Sequence, residues 1–423
     1  MKITKLTVAG LRAFSQAEFE FHSGMNLLVG VNGVGKTTVL DALRICWSKI
    51  LPEISVSRHR KDDFRLSDIQ IGAHSMSVSL DFEINSQACN LLILKQKEAF
   101  LENEEGNPRA QIAETPDIEQ ITPSFKEIER NTAATKTQPL VVFFSTKRSL
   151  ITEKAPSKIS SIGGKAAAFA ESLSDNREFN LRTFAEWFKA QEELGEELPI
   201  SLRHIAVLRE AVGLFLPTLE NLHVVEIEDK LHFMVEKAGI PLSIYQLSDG
   251  ERGVLSMVLD LAKRLSQANP DLEDPLREGS AIVLIDELDL HLHPKWQRTI
   301  VENLTRTFPN CQFIATTHSP QIIGEVSSDC ITIIDNGTFR PASSFGVDSS
   351  RILEEILDTP SRNKLVDEIL NSLYRAIDAN ELGKAKELLS KLTQFLTLDD
   401  PEITRSSTMI DFLEEELTHE TDN

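Results

Sequence analysis

Gly30-Val31-Asn32-Gly33-Val34-Gly35-Lys36-Thr37-Thr38 fits the pattern G-x-x-x-x-G-K-[ST] at every fixed position. Its three glycines let the chain wrap so that backbone N–H groups converge as an anion nest, at the N-terminus of the helix that follows. The stretch therefore predicts a nucleoside triphosphate site. Asn32, Gly33, Gly35, Lys36, Thr37 and Thr38 are expected around the phosphates, with Lys36 as a point charge on the β/γ-phosphates and the Thr37 hydroxyl on Mg²⁺. The flanks agree: Met25–Val29 reads as a buried strand leading into the loop, and Thr38 to Lys49 as the helix leaving it. A chance match in a flexible loop would lack that context.

A second group of stretches has the chemistry such a loop needs. Ala281-Ile282-Val283-Leu284-Ile285-Asp286-Glu287 ends five apolar residues of a buried strand in two adjacent carboxylates. Charge at a sheet end is costly to bury unless a cation or ligand uses it. Asp286 suits Mg²⁺, held directly or through water, and Glu287 suits activation of the attacking water. A further strand, Gln312 to Thr317, ends in His318-Ser319-Pro320, and His318 could contact a γ-phosphate; a lone histidine is a weak signal. Leu247-Ser248-Asp249-Gly250-Glu251 opens a helix running to about Ala268, and Ser248 or Asp249 taken alone is an ordinary N-cap. Pro139 to Phe144 is a continuous apolar run, as expected of a strand covered on both faces. The tetrad Ser145, Thr146, Lys147 and Arg148 follows it, either facing the nucleotide or forming a turn with two solvated cations.

Length and charge bound the rest. The chain has 423 residues, enough for two or three domains, and 65 acidic against 44 basic side chains give a net charge of −21. That balance argues against nonspecific coating of nucleic acid by the whole surface, while leaving room for a local basic groove. No segment approaches the apolar length of a membrane span, and Met1 to Val8 alternates like a strand, without the apolar core of a signal peptide. A soluble cytoplasmic protein is expected. Cys46, Cys89, Cys311 and Cys330 stand far apart and form no C-x-x-C pair, so they read as buried apolar residues.

Five regions follow. Residues 1–97 carry the phosphate loop and half-exposed antiparallel strands, among them Phe14 to Phe21 and Ser75 to Ile84. The basic cluster Arg58 to Lys61 reads as a solvated loop. Residues 98–138 are polar, acidic and interrupted by Pro108, Pro116 and Pro123, and read as a partly disordered insertion. Residues 139–242 give one sheet strand, a helical subdomain whose Phe184, Trp187 and Phe188 are core, and a hairpin around Asp229-Lys230. Residues 243–348 hold the second half of the site. Residues 349–423 form a helical hairpin and a third helix, with Leu365, Ile369, Leu373 and Ile377 as one apolar stripe and Leu382, Ala385, Leu388, Leu389 and Leu392 as the next.

GVNGVGKTT, LSDGE, AIVLIDE, LDLHLHP and ATTHS, in this order, resemble the ABC-type ATPases of the SMC and RecF group, over roughly residues 1–97, 139–148 and 243–340. The resemblance implies an α/β P-loop NTPase of ABC/SMC/RecF type, with an antiparallel β lobe, a helical insertion and a C-terminal helical region. It implies that two protomers pair head to tail and sandwich two ATP molecules, so that Ser248 and Gly250 meet the partner's γ-phosphate. It likewise makes Asp286 and Thr37 the Mg²⁺ residues, Glu287 and His318 the catalytic pair, and Leu288 to His293 the D-loop, which displaces a metal reading of Asp289, His291 and His293. The chain departs from the commoner signature in having Asp249 for a second glycine and Glu251 for glutamine. No glutamine follows the Phe143-Phe144 strand either, so either the Ser145 to Arg148 tetrad replaces the usual Q-loop or Gln70 serves, and the tetrad is favoured because its strand reads as buried.

LSDGER, DELDLHLHPKWQ and the tail from Leu357-Asp358-Thr359-Pro360 to Met409-Ile410-Asp411-Phe412 resemble a narrower group. These are the RecF-like ATPases of bacterial defence islands, including the ATPase subunit of Septu systems and related retron effectors. That likeness implies an ATPase working with a separate HNH-type nuclease docked on the tail, homo-oligomers built from ATP-sandwich dimers, and DNA reached through the complex. A DNA-repair ATPase that binds DNA itself and an ATP-stabilised scaffold with negligible hydrolysis are the alternatives. Nothing after His318 supplies a nuclease's carboxylate cluster. The roughly 210 residues between Lys36 and Ser248, about twice the spacing in transporter subunits, disfavour transport.

Overall fold

The computed structural model describes residues 1–421 apart from 105–106, 114–115, 134–136, 150, 153–163, 336–337 and 341–343. Its centre is a six-stranded sheet in the order Thr338–Arg340, Ile331–Asp335, Met25–Val29, Gln312–Thr317, Ala281–Ile285, Leu140–Phe144. All neighbours are parallel except the first pair. The four strands from Met25–Val29 to Leu140–Phe144 are covered on both faces: every residue in them is buried, including the polar Asn26, Gln312, Thr316 and Thr317. In register, Val29 pairs with Thr317, and Ile285 with both Ala315 and Phe144. Their carboxyl ends therefore lie together on one edge, where ligands of open parallel sheets bind.

A second, antiparallel sheet runs Phe14–Glu20, Lys2–Leu11, Ser75–Ile84, Gln87–Gln96, Ile118–Thr122. Strict alternation along Ser75–Ile84 buries one face, and that face shares a core with the phosphate-loop helix Lys36–Ile54. Trp47 on this helix meets Phe82 edge to face, with centroids 5.2 Å apart. Each fully buried side chain of this size stabilises by about 1.5–3 kcal/mol.

Within 98–138, read from sequence as a partly disordered insertion, the described residues form regular elements. They hold the hairpin Glu98–Glu104 with Asn107–Ala113, the lobe's fifth strand Ile118–Thr122, and the helix Phe125–Ala133. The fifth strand lacks an apolar run because charge fastens it: Glu119 and the neighbouring Asp117 pair with Lys49, and Asp117 also with Lys95.

The helices Leu181–Leu194 and Pro199–Phe215 pack with a three-stranded sheet, Leu219–Ile227, Lys230–Lys237 and Ile240–Ser243. The turn of the first hairpin sits one residue earlier than expected, on Glu228 and Asp229, both at positive φ (53° and 60°) as a two-residue hairpin requires.

The chain divides into two compact units, Met1–Ile352 and Leu353–Asn423. The second holds the helices Lys364–Asp378, Leu382–Leu392 and Pro401–Thr421. The first of these buries Val366, Leu370, Leu373 and Ile377, leaving Leu365 50% exposed. The stripe expected through Leu365 and Ile369 is thus shifted by one position at its start. Both stripes share Leu373 and Ile377, and packing against the next two helices decides between them. Among the described residues no helix is long and apolar enough to cross a membrane.

Candidate functional site

The phosphate loop leaves the strand Met25–Val29 and ends at Gly35, the N-cap of the helix, at φ +107°. An added Cβ at Gly35 would come within 2.6 Å of the Phe14 ring, so the lobe presses directly on the loop and only glycine fits. No side chain caps this helix, and its first turn contains no acidic residue. Its first N–H groups are therefore left for an external anion, the arrangement a triphosphate needs. The Lys36 ammonium donates to the carbonyls of Gly30 (2.8 Å) and Val31 (2.9 Å) and arches back over the loop. Burial lowers its pKa, against the pull of Asp286, Glu287 and Asp289.

Asp286 and Glu287 follow the strand Ala281–Ile285 on the same sheet edge. Thr37 Oγ1 lies 3.4 Å from each carboxylate oxygen of Asp286. A hydroxyl and a carboxylate so placed are hard oxygen donors suited to Mg²⁺. Thr316 Oγ1 donates to Asp286 Oδ1 at 2.7 Å and accepts the Glu287 N–H at 2.7 Å. Glu287 itself stands at φ +51°, which costs an L-residue roughly 1–2 kcal/mol. Arg148 donates to the carbonyls of both Asp286 and Glu287.

His318, at the end of the neighbouring strand, donates its backbone N–H to Asp289 Oδ1 at 3.3 Å, and Thr317 Oγ1 donates to the same oxygen at 2.6 Å. Burial, and after it the charge of Lys36, lowers the His318 pKa against the three carboxylates, leaving the ring neutral at pH 7. One cleft thus gathers Asn32, Gly33, Gly35, Lys36, Thr37 and Thr38 with Asp286, Glu287 and His318. Thr316 joins them; its only mark in sequence is a hydroxyl at a strand end.

Ser248 and Gly250 lie outside the cleft lining. Ser248 caps the helix Asp249–Ala268 in a reciprocal capping box with Glu251, which also pairs with Lys237 at 2.6 Å. The S-x-x-E spacing is a legible signal for this box. Asp249 is turned outward to Arg252. His293 caps the helix Pro294–Gln297 by accepting the Lys295 N–H, and among the described residues no group of three His, Cys, Asp or Glu could hold a metal.

The Ser145 to Arg148 tetrad, read as either facing the nucleotide or forming a turn, lies outside the cleft lining. Ser145 Oγ donates to the Asp175 carbonyl at 2.9 Å, Lys147 pairs with Asn176, and Arg148 reaches beneath the carboxylate turn. A 3-10 turn, Thr146–Ser149, directly follows the strand. Gln70 also lies outside the cleft lining, and its backbone N–H bonds the Gly10 carbonyl.

With this geometry in place, comparison with known proteins is informative. The chain is 26% identical to the protein described as "Retron Ec83 probable ATPase" from Escherichia coli, over 90% of this chain and 81% of that protein. It is 25% identical to "Septu protein PtuA" from Bacillus thuringiensis, over 94% of this chain and 95% of that protein. Among solved structures, the SMC head domain from Thermotoga maritima aligns with 81% of this chain and 100% of that chain, at 16% identity and a TM-score of 0.43. Residues 25–324, from the strand before the phosphate loop to just beyond His318, match the family model described as "AAA domain, putative AbiEii toxin, Type IV TA system", and the chain belongs to that family.

Proposed function

We propose that this chain is the ATP-binding and ATP-hydrolysing subunit of a bacterial anti-phage defence complex, and that nucleotide-dependent pairing of two protomers controls a separate HNH-type nuclease. Family membership implies ATP binding. The names of the retron and Septu relatives support the defence setting. The observation that carries the enzymatic part is the cleft itself, where an uncapped helix N-terminus, Lys36, two strand-end carboxylates and a neutral histidine converge.

In this reading the loop N–H groups and Lys36 hold the β- and γ-phosphates. Thr37 and Asp286 would hold Mg²⁺, which supplies charge neutralisation on the phosphate oxygens. Glu287 takes a proton from water as the water oxygen bonds to the γ-phosphorus and the bond to the β–γ bridging oxygen breaks, releasing ADP and phosphate. Neutral His318 donates a hydrogen bond toward the γ-phosphate. Ser248 and Gly250, absent from their own cleft, close that of a partner protomer, where the Asp249–Ala268 helix N-terminus favours the anion. The C-terminal unit, with Leu365, Phe395, Leu398 and Phe412 each at least half exposed, is assigned to nuclease docking.

Glu287→Gln is expected to lower phosphate release by about 10²–10⁴-fold while ATP stays bound, and Lys36→Ala to lose ATP binding; fluorescent-nucleotide titration and a phosphate assay read both. Unchanged turnover in Glu287→Gln would refute the catalytic assignment, and normal ATP binding in Lys36→Ala would refute the site. Co-expression with the adjacent genes, followed by purification with and without ATP, tests the nuclease. Absence of an encoded or co-purifying HNH protein would count against that part.

A further inference from the structure

A catalytic Glu287 must keep its carboxylate aimed at the cleft from a backbone conformation that a glutamate does not favour, φ +51°. Two side chains secure this turn. Thr316 Oγ1 takes the Glu287 N–H from the neighbouring strand. From the opposite side Arg148 takes the carbonyls of Asp286 and Glu287, and at 3.2 Å that of Ser145. Arg148 is only 9% exposed. Burial pushes its pKa down to about 10, against the raising effect of Asp286, Asp289 and Glu287, so it remains a cation at neutral pH. The Arg148 carbonyl in turn accepts from Ser256 Oγ at 3.5 Å, on the helix that begins beside Ser248.

A guanidinium presents its donors in a fixed fork, and its three described bonds go to backbone carbonyls, two on the carboxylate turn and one at Ser145, rather than to a carboxylate. Lysine offers one point on a longer, looser stem and cannot reproduce the fork. We infer that Arg148 is a positioning residue for hydrolysis: its fork on the Asp286 and Glu287 carbonyls fixes the left-handed turn that aims Glu287, and links that aim to the helix carrying Ser248. The inference rests on the ATPase reading above. Arg148 itself lies outside the cleft lining.

A cavity of about 170 Å³ lies against Arg148, lined among others by Phe143, Phe144 and Met257. Removal of the side chain therefore leaves a hole that a free guanidinium ion can enter. The test uses full-length Arg148→Ala and Arg148→Lys, measuring ATP affinity, kcat, KM and thermal midpoint, with millimolar guanidinium chloride or the same ionic strength of sodium chloride.

Arg148→Ala should lose about 10²-fold in kcat, the scale of a misplaced catalytic group, with ATP affinity and KM nearly unchanged. Guanidinium, and not sodium chloride, should restore a large part. Arg148→Lys should stay slow. Parallel loss of ATP affinity and kcat, or no rescue by guanidinium, would reduce Arg148 to a fold support and overturn the inference. Should Arg148→Ala fail to fold, Arg148→Lys decides: wild-type kcat overturns the inference, and slow kcat with intact binding upholds it. Wild-type protein that releases no phosphate would instead fault the ATPase reading, a different result from a normal wild type beside a normal Arg148 variant.

Discussion

Gly250 has no room for a side chain. An added Cβ would stand 2.5 Å from the His291 carbonyl, so the start of the Asp249–Ala268 helix rests against the backbone that follows Glu287. Ala at this site must push the Ser248 turn away from that segment or displace it. Lys36 and the phosphate loop are on other elements, and the protomer's own ATP binding should survive. Gly250→Ala is therefore expected to keep its ATP dissociation constant and lose phosphate release by about 10²-fold; nucleotide titration beside a phosphate assay checks both, and an equal loss in the two would refute the division. Glycines and strand-end carboxylates could be read from sequence because few other roles explain them at those spacings. The contacts of Arg148, singled out only as part of its tetrad, and of Thr316 could not: their partners lie 138 and 30 residues away in the chain, and neither contact leaves a local pattern.

Between elements, the phosphate-loop helix is tied to the antiparallel lobe by apolar packing and by one buried charge. The Lys49 side chain is 0% exposed and pairs with Asp63 (2.5 Å), Glu119 (2.8 Å) and Asp117 (3.2 Å); the Asp117 side chain is also 0% exposed. Burial alone would lower the Lys49 pKa, but these carboxylates outweigh it and hold the ammonium above its usual range. Lys49→Met leaves the buried Asp117 carboxylate with Lys95 and the Phe64 N–H but one cation fewer. Breaking a buried pair from one side typically costs about 3–5 kcal/mol, and denaturant unfolding should show a loss of that order. Lys49→Met with Asp117→Asn should cost less than the two single changes added together; strict additivity would show that the pair is not coupled. The same pairing explains why 98–138 misled the sequence reading. Periodicity detects strands held by an apolar face, whereas Ile118–Thr122, burial pattern exposed at four of five positions, is held by its ladder and by charge.

At the scale of the molecule, motifs hundreds of residues apart were legible as one site because a parallel sheet brings its carboxyl ends to one edge, so Val29, Thr317 and Ile285 had to be neighbours. The third strand Ile240–Ser243 and the burial of Val366 over Leu365 depend on packing partners that periodicity does not name. Pairing of two protomers carries its own physical signature. Each has a formal charge of −21, so bringing two together works against repulsion that salt screens over a Debye length of about 10 Å at 0.1 M. With Glu287→Gln to retain ATP, light scattering should rise from 47.3 kDa toward twice that mass on ATP addition. The dimer should tighten as sodium chloride is raised from low to physiological levels. Association through a bound nucleic acid would do the reverse, because phosphate contacts release counterions and weaken steeply with salt. A mass that stays monomeric at saturating ATP and every salt concentration would remove the sandwich, and with it the role assigned to Ser248 and Gly250.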